Sequence, residues 1–523
     1  MRRLRMVGAV LAALTVTAPA AYAQSAELPL GRPGLAETRE TIVLGPGVTY
    51  TRINRAGTTP PPLDAFVAQF PAESGAVAGV GPWAVHILEI APDAPYELDL
   101  VAGDDATAGR ELVSDMAVRT GAIVGVNGGY FVTNEDDGIT GEPAGLGVYG
   151  GRLTSEAVQG RANLVLDGAA PRNVRVQELF TDLALVDVAS GDEILVDGVN
   201  RKHGLIRMCG GVGGDTAGPE PATGLGLPAP GGVLPGQGAA PAHDWTCVDD
   251  TEVIVHNEFL GIPVPADADL EVRLDGSGRV QRVGAPTGAV VAPGELVVTA
   301  TGDGPTQWLS EHAAVGAQLA YREHVLLPDG SPLEVTPELE VTNGGPRLVR
   351  DGEVAIDSEA EGFSALHPLP GFGTFYSETA QPRLLAGSRA DGTLLFVLVD
   401  GRRPDWSTGV SFREAADLMI HLGAIEAINL DGGGSAAMVD GTGTPMNRVS
   451  GGSERAVMDG LVLVPIEPAA DAAGTPDSTV SSVESPPEVS PALPATGGGT
   501  AGVWLGLLGV AAATGRARRP AGV

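Results

Sequence analysis

Two aspartates that each follow an apolar run are the residues of this sequence best suited to chemistry. Asp400 comes directly after residues 394–399 and opens the segment Asp-Gly-Arg-Arg, while Asp431 comes after residues 425–430 and opens Asp-Gly-Gly-Gly-Ser. Carboxylates at such positions can act as acids, bases or nucleophiles. Consecutive glycines can bring backbone amides close to an anion. Each Asp-Gly pair alone is typical of an ordinary turn, but the two together favour a functional site.

The elements that must position these aspartates form a strand–helix–strand pattern. Residues 394–399 are continuously apolar, which predicts a buried strand. Ser411 and Glu414 form a capping box, in which each side chain can bond a free amide at the start of a helix. Apolar residues then recur at helical spacing up to Gly423, which suits a helix end. Residues 425–430 predict the second strand.

This unit predicts where the two carboxylates lie. If its strands share one sheet, they run parallel and the crossover is right-handed. Asp400 and Asp431 then follow the carboxyl ends of the strands, where open sheets commonly bind ligands. We therefore expect Asp400 across from Asp431 on the neighbouring strand end. Earlier in the chain, short apolar runs predict further strands, and Glu111–Arg119 predicts a short helix.

The amino terminus, residues 1–23, predicts a secretory signal peptide. Arg2, Arg3 and Arg5 precede a short apolar stretch, and Ala-Tyr-Ala at 21–23 fits a cleavage site. The alternative is a membrane helix, but the apolar stretch is shorter than the roughly 20 residues that span a bilayer. The sequence therefore predicts export without a permanent membrane span.

The carboxyl terminus, residues 493–523, resembles the LPxTG sorting signal of Gram-positive surface proteins. Leu-Pro-Ala-Thr-Gly at 493–497 is followed by an apolar stretch and a basic tail. The resemblance implies that a sortase cleaves between Thr496 and Gly497 and joins the chain to peptidoglycan. The alternative is a chance pentapeptide in a linker. Residues 466–492 are rich in Pro, Ser, Ala and Glu, which predicts an extended wall spacer.

Cys209 and Cys247 are the chain's two cysteines, and both lie in the exported part. Outside the cell a disulfide is the default interpretation, with two free thiols as the alternative. The bond would close a Gly/Pro-rich segment at about 210–245, which reads as an insertion. The net charge of −33, without a basic run, argues against nucleic acid as a partner.

Five motifs together resemble the phosphodiester glycosidase family, which includes phosphodiester α-N-acetylglucosaminidase, the uncovering enzyme of lysosomal targeting. The resemblance covers about residues 40–465. The motifs, in order, are NGGYF at 127–131, GGPRLV at 344–349, PR at 382–383, DGR at 400–402 and NLDGGGS at 429–435. The last of these is quite specific. After Pro382-Arg383 the family usually has Thr-Ala, where this chain has Leu384-Leu385.

The resemblance implies a mixed α+β fold and hydrolysis of the bond between a sugar anomeric carbon and a phosphodiester oxygen. We expect Asp431 to be the main acid/base or nucleophile and Asp400 its partner; the alternative is that either aspartate binds a metal or orients a loop. Arginine pairs bidentately with phosphate oxygens. The expected substrate contacts are Asn127, Tyr130, Arg383, Arg402, Gly432, Gly433 and Ser435. For Asn127 and Tyr130 the alternative is a structural turn, and for the arginines it is surface ion pairs. Arg455 is interpreted as a structural partner of a carboxylate.

The substrate and cofactor predictions are less specific. N-acetylglucosamine-1-phosphodiesters, wall teichoic acids and polysaccharide phosphodiesters all fit the resemblance. Asn134, Asp136 and Gly138 loosely resemble a calcium loop, but the spacing is incomplete. The histidines form no H-E-x-x-H pair, which disfavours a zinc hydrolase. The alternative to an enzyme is a wall-displayed glycan-binding protein on the same scaffold.

Overall fold

The computed structural model describes residues 27–57, 76–168, 173–209, 216–217, 242–363 and 376–466. All of them belong to one compact unit, Met1–Glu467. The predicted signal peptide, the wall spacer and the sorting signal lie outside the described residues, except for Ile466. So does most of the insertion predicted at 210–245.

The helices and strands are numbered in chain order. The helices are α1 (Val113–Thr120), α2 (Asp303–His312) and α3 (Phe412–His421). The first strands are β1 (Glu37–Gly45), β2 (Val48–Arg55), β3 (Ala76–Val77), β4 (Trp83–Ile90), β5 (Tyr96–Ala102), β6 (Val124–Asn127), β7 (Gly147–Tyr149), β8 (Arg152–Ser155), β9 (Ala162–Asp167), β10 (Asn173–Glu178), β11 (Phe180–Asp187), β12 (Glu193–Leu195) and β13 (Gly198–Val199). The middle strands are β14 (Ile206–Arg207), β15 (Thr216–Ala217), β16 (Thr246–Val248), β17 (Val253–His256), β18 (Leu270–Leu274), β19 (Val280–Gly284), β20 (Leu296–Ala300) and β21 (Leu319–Leu326). The last strands are β22 (Glu340–Asn343), β23 (Arg347–Arg350), β24 (Glu353–Val354), β25 (Thr379–Ala380), β26 (Arg383–Arg389), β27 (Leu394–Val399), β28 (Ala424–Asn429), β29 (Met438–Asp440) and β30 (Asp459–Pro465).

The largest sheet has eight strands in the order β1-β2-β4-β27-β26-β28-β23-β24. One face packs against α3, where Phe412, Leu418 and Met419 are fully buried. The other face packs against β9 and a four-stranded sheet of order β29-β6-β30-β5, with Phe396 and Leu461 in the shared core. The sheet is therefore apolar on both faces, as the continuous apolar run of β27 predicts.

The predicted strand–helix–strand unit is present, with one correction. Ser411 and Glu414 form both hydrogen bonds of the capping box, and Gly423 follows the helix with a φ of +88°. Strands β27 and β28 share the sheet and run parallel, because each pairs antiparallel with β26. They are not neighbours, since β26 lies between them. The expectation that Asp400 and Asp431 follow neighbouring strands is therefore wrong.

The predicted fold class is confirmed in part. A mixed α+β fold with packed helices was expected, whereas the structure is largely β, with 41% strand and 10% helix and several antiparallel sheets. Among the described strands, most neighbours pair antiparallel, and β13 with β17 is a parallel exception. Short turns join many of these strands, so few crossover helices are needed.

A small three-stranded sheet of order β14-β16-β15 is fastened by a disulfide. Ile206 pairs with Cys247 in register, and the sulfurs of Cys209 and Cys247 are bonded, which confirms the predicted pair. Both cysteines are buried. The disulfide therefore fixes residues 242–248, called the strap below, against β14.

Candidate active site

The site lies at the edge of the eight-stranded sheet where β27 and β28 end and β26 begins. Arg383 is the first residue of β26 and pairs with Val399, the last residue of β27. Because β26 is antiparallel to both neighbours, its first residue lies at the same edge as the last residues of β27 and β28. The topology thus brings Arg383 between the segments that carry Arg402 and Asp431.

A polar cleft of about 240 Å³ opens at this edge. Its charged lining residues are Arg207, Asp244, Arg383, Arg402, Asp431 and Arg455. The glycines 432–434 form part of its wall, together with the rings of Tyr130, Phe131, His243 and Tyr376. Among the described residues that line it, Asp244 and Asp431 are the acidic ones. The cleft therefore combines two carboxyl groups with four guanidinium groups.

Asp431 is held by its backbone at the cleft. Its amide donates to the carbonyl of Gly128 at 3.0 Å, and its carbonyl accepts from Nδ2 of Asn127 at 2.9 Å. Burial raises the pKa of Asp431 to about 7; Asp244 adds to the rise, while a hydrogen bond with Ser435 and the charge of Arg455 oppose it. A carboxyl group with this pKa can give or take a proton near neutral pH.

Close contacts surround the three glycines after Asp431, and the contact at Gly432 is with backbone. A Cβ at Gly432 would lie 2.5 Å from the carbonyl oxygen of Pro382, and one at Gly434 would lie 2.5 Å from Nη2 of Arg455. Gly433 has a φ of +57° and lies against the guanidinium of Arg402. Glycine is therefore the residue that lets this loop pass between two arginines.

Arg383 is almost fully buried beneath the cleft. Its Nε donates to the carbonyl of Val410 at 2.8 Å and its Nη2 to the carbonyl of Tyr376 at 2.6 Å. The guanidinium carbon lies 3.8 Å from the centre of the Phe412 ring. Burial lowers the pKa of Arg383 to about 10, so the group stays charged at neutral pH. Within the described residues, Nη1 makes no hydrogen bond and is the atom left to meet a ligand.

Arg402 and Arg455 flank the glycine loop on the cleft side. Arg402 donates from Nε to the side chain of Gln381 at 2.9 Å and has a φ of +59°, an uncommon conformation for a residue with a side chain. Arg455 is exposed and donates from Nη1 to Oγ of Ser435 at 3.3 Å. In the described part of the chain no carboxylate lies within ion-pair distance of Arg455. Its charge nevertheless lowers the pKa of Asp431, so the interpretation of Arg455 as a structural partner of a carboxylate stays a prediction.

Asp400 does not line the cleft. Its carboxylate is 1% exposed and accepts hydrogen bonds from Trp406 Nε1 at 2.7 Å, from Asn447 Nδ2 at 3.2 Å and from the Arg448 amide at 3.1 Å. His86 Nε2 lies 3.3 Å away. Burial alone raises the pKa of Asp400, but hydrogen bonds from His86, Trp406 and Asn447 outweigh it and hold the pKa below its usual value. This carboxylate is engaged in holding the segment that carries Arg402.

The other residues expected to contact substrate fall into two groups. Tyr130, Arg383, Arg402, Gly432 and Gly433 line the cleft. Asn127 and Ser435 are buried and do not line it. The hydroxyl of Tyr130 is already engaged, since it donates to the Gly345 carbonyl at 2.7 Å and accepts from Asn429 Nδ2 at 2.6 Å. Tyr130 therefore offers the cleft its ring.

Sequence reasoning missed Asp244 and Arg207, which enter the cleft from the strap and from β14. Arg207 Nη2 donates to Oδ1 of Asp244 at 2.9 Å. Asp244 has a φ of +56°, in the left-handed region that aspartate tolerates better than most residues. The one available signal was its position three residues before Cys247, inside a segment that the predicted disulfide closes.

A calcium site receives no support from the described residues. Asn134 Nδ2 donates to Oδ2 of Asp137 at 3.0 Å, which ties this loop internally. No group of three or more His, Cys, Asp or Glu side chains within the described ranges is arranged to hold a metal ion.

Part of the chain matches a known protein family. The family model described as phosphodiester glycosidase matches residues 268–464 of this chain. That range includes Arg383, Arg402, Asp431 and Arg455, whereas the strap lies outside it. The chain is also 42% identical over 82 residues to the uncharacterized SPbeta prophage-derived protein YomE of Bacillus subtilis (strain 168). This match spans 16% of the chain and 12% of YomE.

Solved structures share the fold over most of the chain. An exported protein from Burkholderia pseudomallei K96243 is 27% identical, with a TM-score of 0.69 over 84% of this chain and 99% of that one. A hypothetical protein from Synechocystis is 16% identical, with a TM-score of 0.55 over 82% of this chain and 64% of that one. The overall fold is therefore shared with proteins of other organisms.

Two observations bear on location. The disulfide is typical of proteins that leave the reducing cytosol, and one structural relative is described as exported. Of the helices in the described ranges, none combines the length and apolarity that crossing a bilayer requires.

Proposed function

We propose that the cleft hydrolyses the bond between a sugar anomeric carbon and a phosphodiester oxygen. The observation that carries this proposal is the placement of Asp431, with a pKa of about 7, beside Arg383, Arg402 and Arg455. The family domain at residues 268–464 supports the same reaction class.

The guanidinium groups suit a phosphodiester. Nη1 of Arg383 is unbonded, and the guanidinium groups of Arg402 and Arg455 lie against the glycine loop. Guanidinium groups bind phosphate oxygens through charge-assisted hydrogen bonds. They supply local positive charge in a chain of net charge −33, which would otherwise repel an anion at long range.

Asp431 is the proton donor in this proposal. When the C1–O bond breaks, the electron pair goes to the phosphate oxygen, and Asp431 gives that oxygen a proton. Water supplies hydroxide to C1 and loses a proton, so the products are the free sugar and a phosphomonoester. A protonated Asp431 also avoids placing a negative carboxylate beside the bound phosphate.

The substrate class extends to N-acetylglucosamine-1-phosphodiesters and to the sugar-phosphate polymers of cell walls. The amino- and carboxyl-terminal sequences favour a protein exported and then joined to peptidoglycan at Thr496. Cell fractionation tests the anchoring: Thr496→Ala should move the protein from the wall to the medium. A variant that stays wall-bound after detergent extraction would contradict it.

The activity is tested with a panel of sugar-1-phosphodiesters and the Asp431→Asn variant. Loss of one acid/base group should lower turnover on the order of 10²–10⁴-fold. Asparagine is nearly isosteric and also occurs in turns, so circular dichroism and the melting temperature should stay close to wild type. If the wild-type protein binds these compounds without turning any over, the glycan-binding alternative becomes the better account.

A further inference from the structure

The second carboxyl group in the cleft is Asp244, which belongs to the strap. Asp244 and Asp431 line the same cleft, whereas the carboxylate of Asp400 is buried behind it. The electrostatic influence of Asp244 on Asp431 shows that the two groups are close enough to interact. Glycosidic hydrolysis by carboxyl groups uses two of them, one on each side of the reacting bond.

Asp244 is held in place by Arg207. The guanidinium donates to Oδ1 of Asp244 at 2.9 Å and also lies 3.4 Å from Oδ1 of Asp137. Thr246 adds to this cluster, since its hydroxyl donates to Oδ1 of Asp137 at 2.9 Å. Asp137 does not line the cleft, although it shares the same arginine. The carboxylate of Asp244 therefore lines the cleft, whereas that of Asp137 does not.

The backbone around Asp244 is also fastened. The Met208 amide donates to the Trp245 carbonyl at 2.7 Å, and the Cys209–Cys247 bond closes the strap onto β14. The ring of His243 packs against Tyr130, Phe363 and Tyr376, with centroids 4.3–4.5 Å apart. Asp244 thus has an exposed side chain on a fastened backbone. A group that reacts with water and substrate needs both properties.

The imidazole ring of His243 has a fixed orientation beside Asp244. Nη2 of Arg161 lies 3.0 Å from Nδ1 of His243. A guanidinium can only donate, so Nδ1 is the acceptor and the ring proton is on Nε2. Nε2 in turn lies 3.9 Å from Oδ2 of Asp244. The imidazole therefore presents its N–H side toward the carboxylate.

We propose that Asp244 is the carboxylate that accepts the proton of the attacking water, opposite Asp431. The inference rests on the proposed function of the cleft. As the water oxygen bonds to the anomeric carbon, its proton passes to Asp244 while the C1–O bond breaks. Asp431 gives its proton to the phosphate oxygen that leaves. Before the next turnover Asp244 releases its proton to solvent water and Asp431 takes one up from solvent.

The experiment compares Asp244→Asn with Asp137→Asn as a matched control. Asparagine tolerates the left-handed φ at position 244, so the strap should keep its conformation. Asp137→Asn disturbs the same arginine without removing a carboxylate from the cleft. We expect kcat to fall on the order of 10²–10⁴-fold in Asp244→Asn and by less than about tenfold in Asp137→Asn. Binding of inorganic phosphate, measured by calorimetry, should persist in both.

Azide rescue separates a proton-accepting role from a purely structural one. In Asp244→Ala, azide can take the place of the activated water, so its addition should restore turnover and yield a glycosyl azide. A loss of turnover that azide leaves unrestored would overturn the inference, as would equal effects of Asp244→Asn and Asp137→Asn. Failure of the proposed function is distinguishable, because wild-type protein would then hydrolyse none of the phosphodiesters.

Discussion

The side-chain amide of Asn127 donates a hydrogen bond of 2.9 Å to the backbone carbonyl of Asp431. The same side chain accepts from the Ala437 amide at 3.1 Å, so it bridges the start and the end of the glycine loop. The Gly128 carbonyl completes the clamp by accepting from the Asp431 amide. The NGGYF and NLDGGGS segments thus form one unit in which the first positions the second.

Replacing Asn127 with alanine should reduce both stability and turnover. The side chain is fully buried, and its loss leaves the Ala437 amide without a partner, which costs about 1–3 kcal/mol. Because Asn127 positions Asp431 and does not line the cleft, kcat should fall while KM changes little. The melting temperature and the steady-state constants measure the two effects. A rise in KM at unchanged kcat would instead indicate direct substrate contact.

The pKa of Asp431 predicts a pH-dependent stability difference between the wild type and Asp431→Asn. Burial raises the pKa from 3.8 to about 7, so the contribution of Asp431 to stability is fully present below about pH 4 and is lost as the pH rises through about 7. The variant cannot ionise at this position. Its stability relative to wild type should therefore rise by about 3 kcal/mol between pH 4.5 and pH 8.

Denaturant titrations at both pH values measure this difference. Other buried acids, such as Asp197 with its pKa raised to about 7, affect both proteins equally and cancel in the comparison. Parallel pH profiles for the two proteins would show that Asp431 ionises as freely in the folded chain as in the unfolded one.

Arg455→Ala should weaken anion binding at the cleft. Arg455 flanks the glycine loop, and the described residues offer it no carboxylate partner, so its charge is available to a phosphate. Loss of one charge-assisted contact should weaken inorganic phosphate binding about tenfold. Arg413→Ala is the matched control, because Arg413 is an exposed arginine of α3 paired with Asp417. Equal effects of the two substitutions would indicate a general electrostatic cause.

Asp400→Asn separates a positioning role from a catalytic one. The carboxylate accepts from Trp406, Asn447 and the Arg448 amide, and asparagine can replace only part of this acceptor capacity. We expect a loss of about 1–3 kcal/mol in stability and less than a tenfold loss in kcat. A loss of 10²-fold or more in kcat at unchanged melting temperature would instead indicate that Asp400 is the catalytic partner of Asp431.

Removing the disulfide should loosen the strap. The Cys209→Ser/Cys247→Ser double variant should lose about 4 kcal/mol of stability by the chain-entropy estimate for a loop of this size. Turnover should fall as well, since Arg207 and Asp244 lie on the two segments that the bond joins. Reducing agent should reproduce both effects in wild type and have none in the variant. Two alkylatable thiols in the native exported protein would exclude the bond.

Local features of this protein were determined by its sequence alone. The helix after β27 begins at the capping box of Ser411 and ends before Gly423, because capping and helical periodicity act within a few residues. The three consecutive glycines at 432–434 likewise indicated a sharp loop from the sequence alone. Strands β27 and β28 were also predicted, since a continuous apolar run identifies a buried strand without reference to its neighbours.

Only the tertiary structure decided which charged groups share the cleft. Strand pairing inserted β26 between β27 and β28, which brought Arg383 to the centre of the site. The carboxylate of Asp400 bonds His86 and Asn447 and does not line the cleft. The disulfide holds the strap, which carries Asp244, at the cleft. These outcomes depend on contacts between residues far apart in the chain. The direction of a side chain at a strand end is set by such partners, which no local pattern identifies.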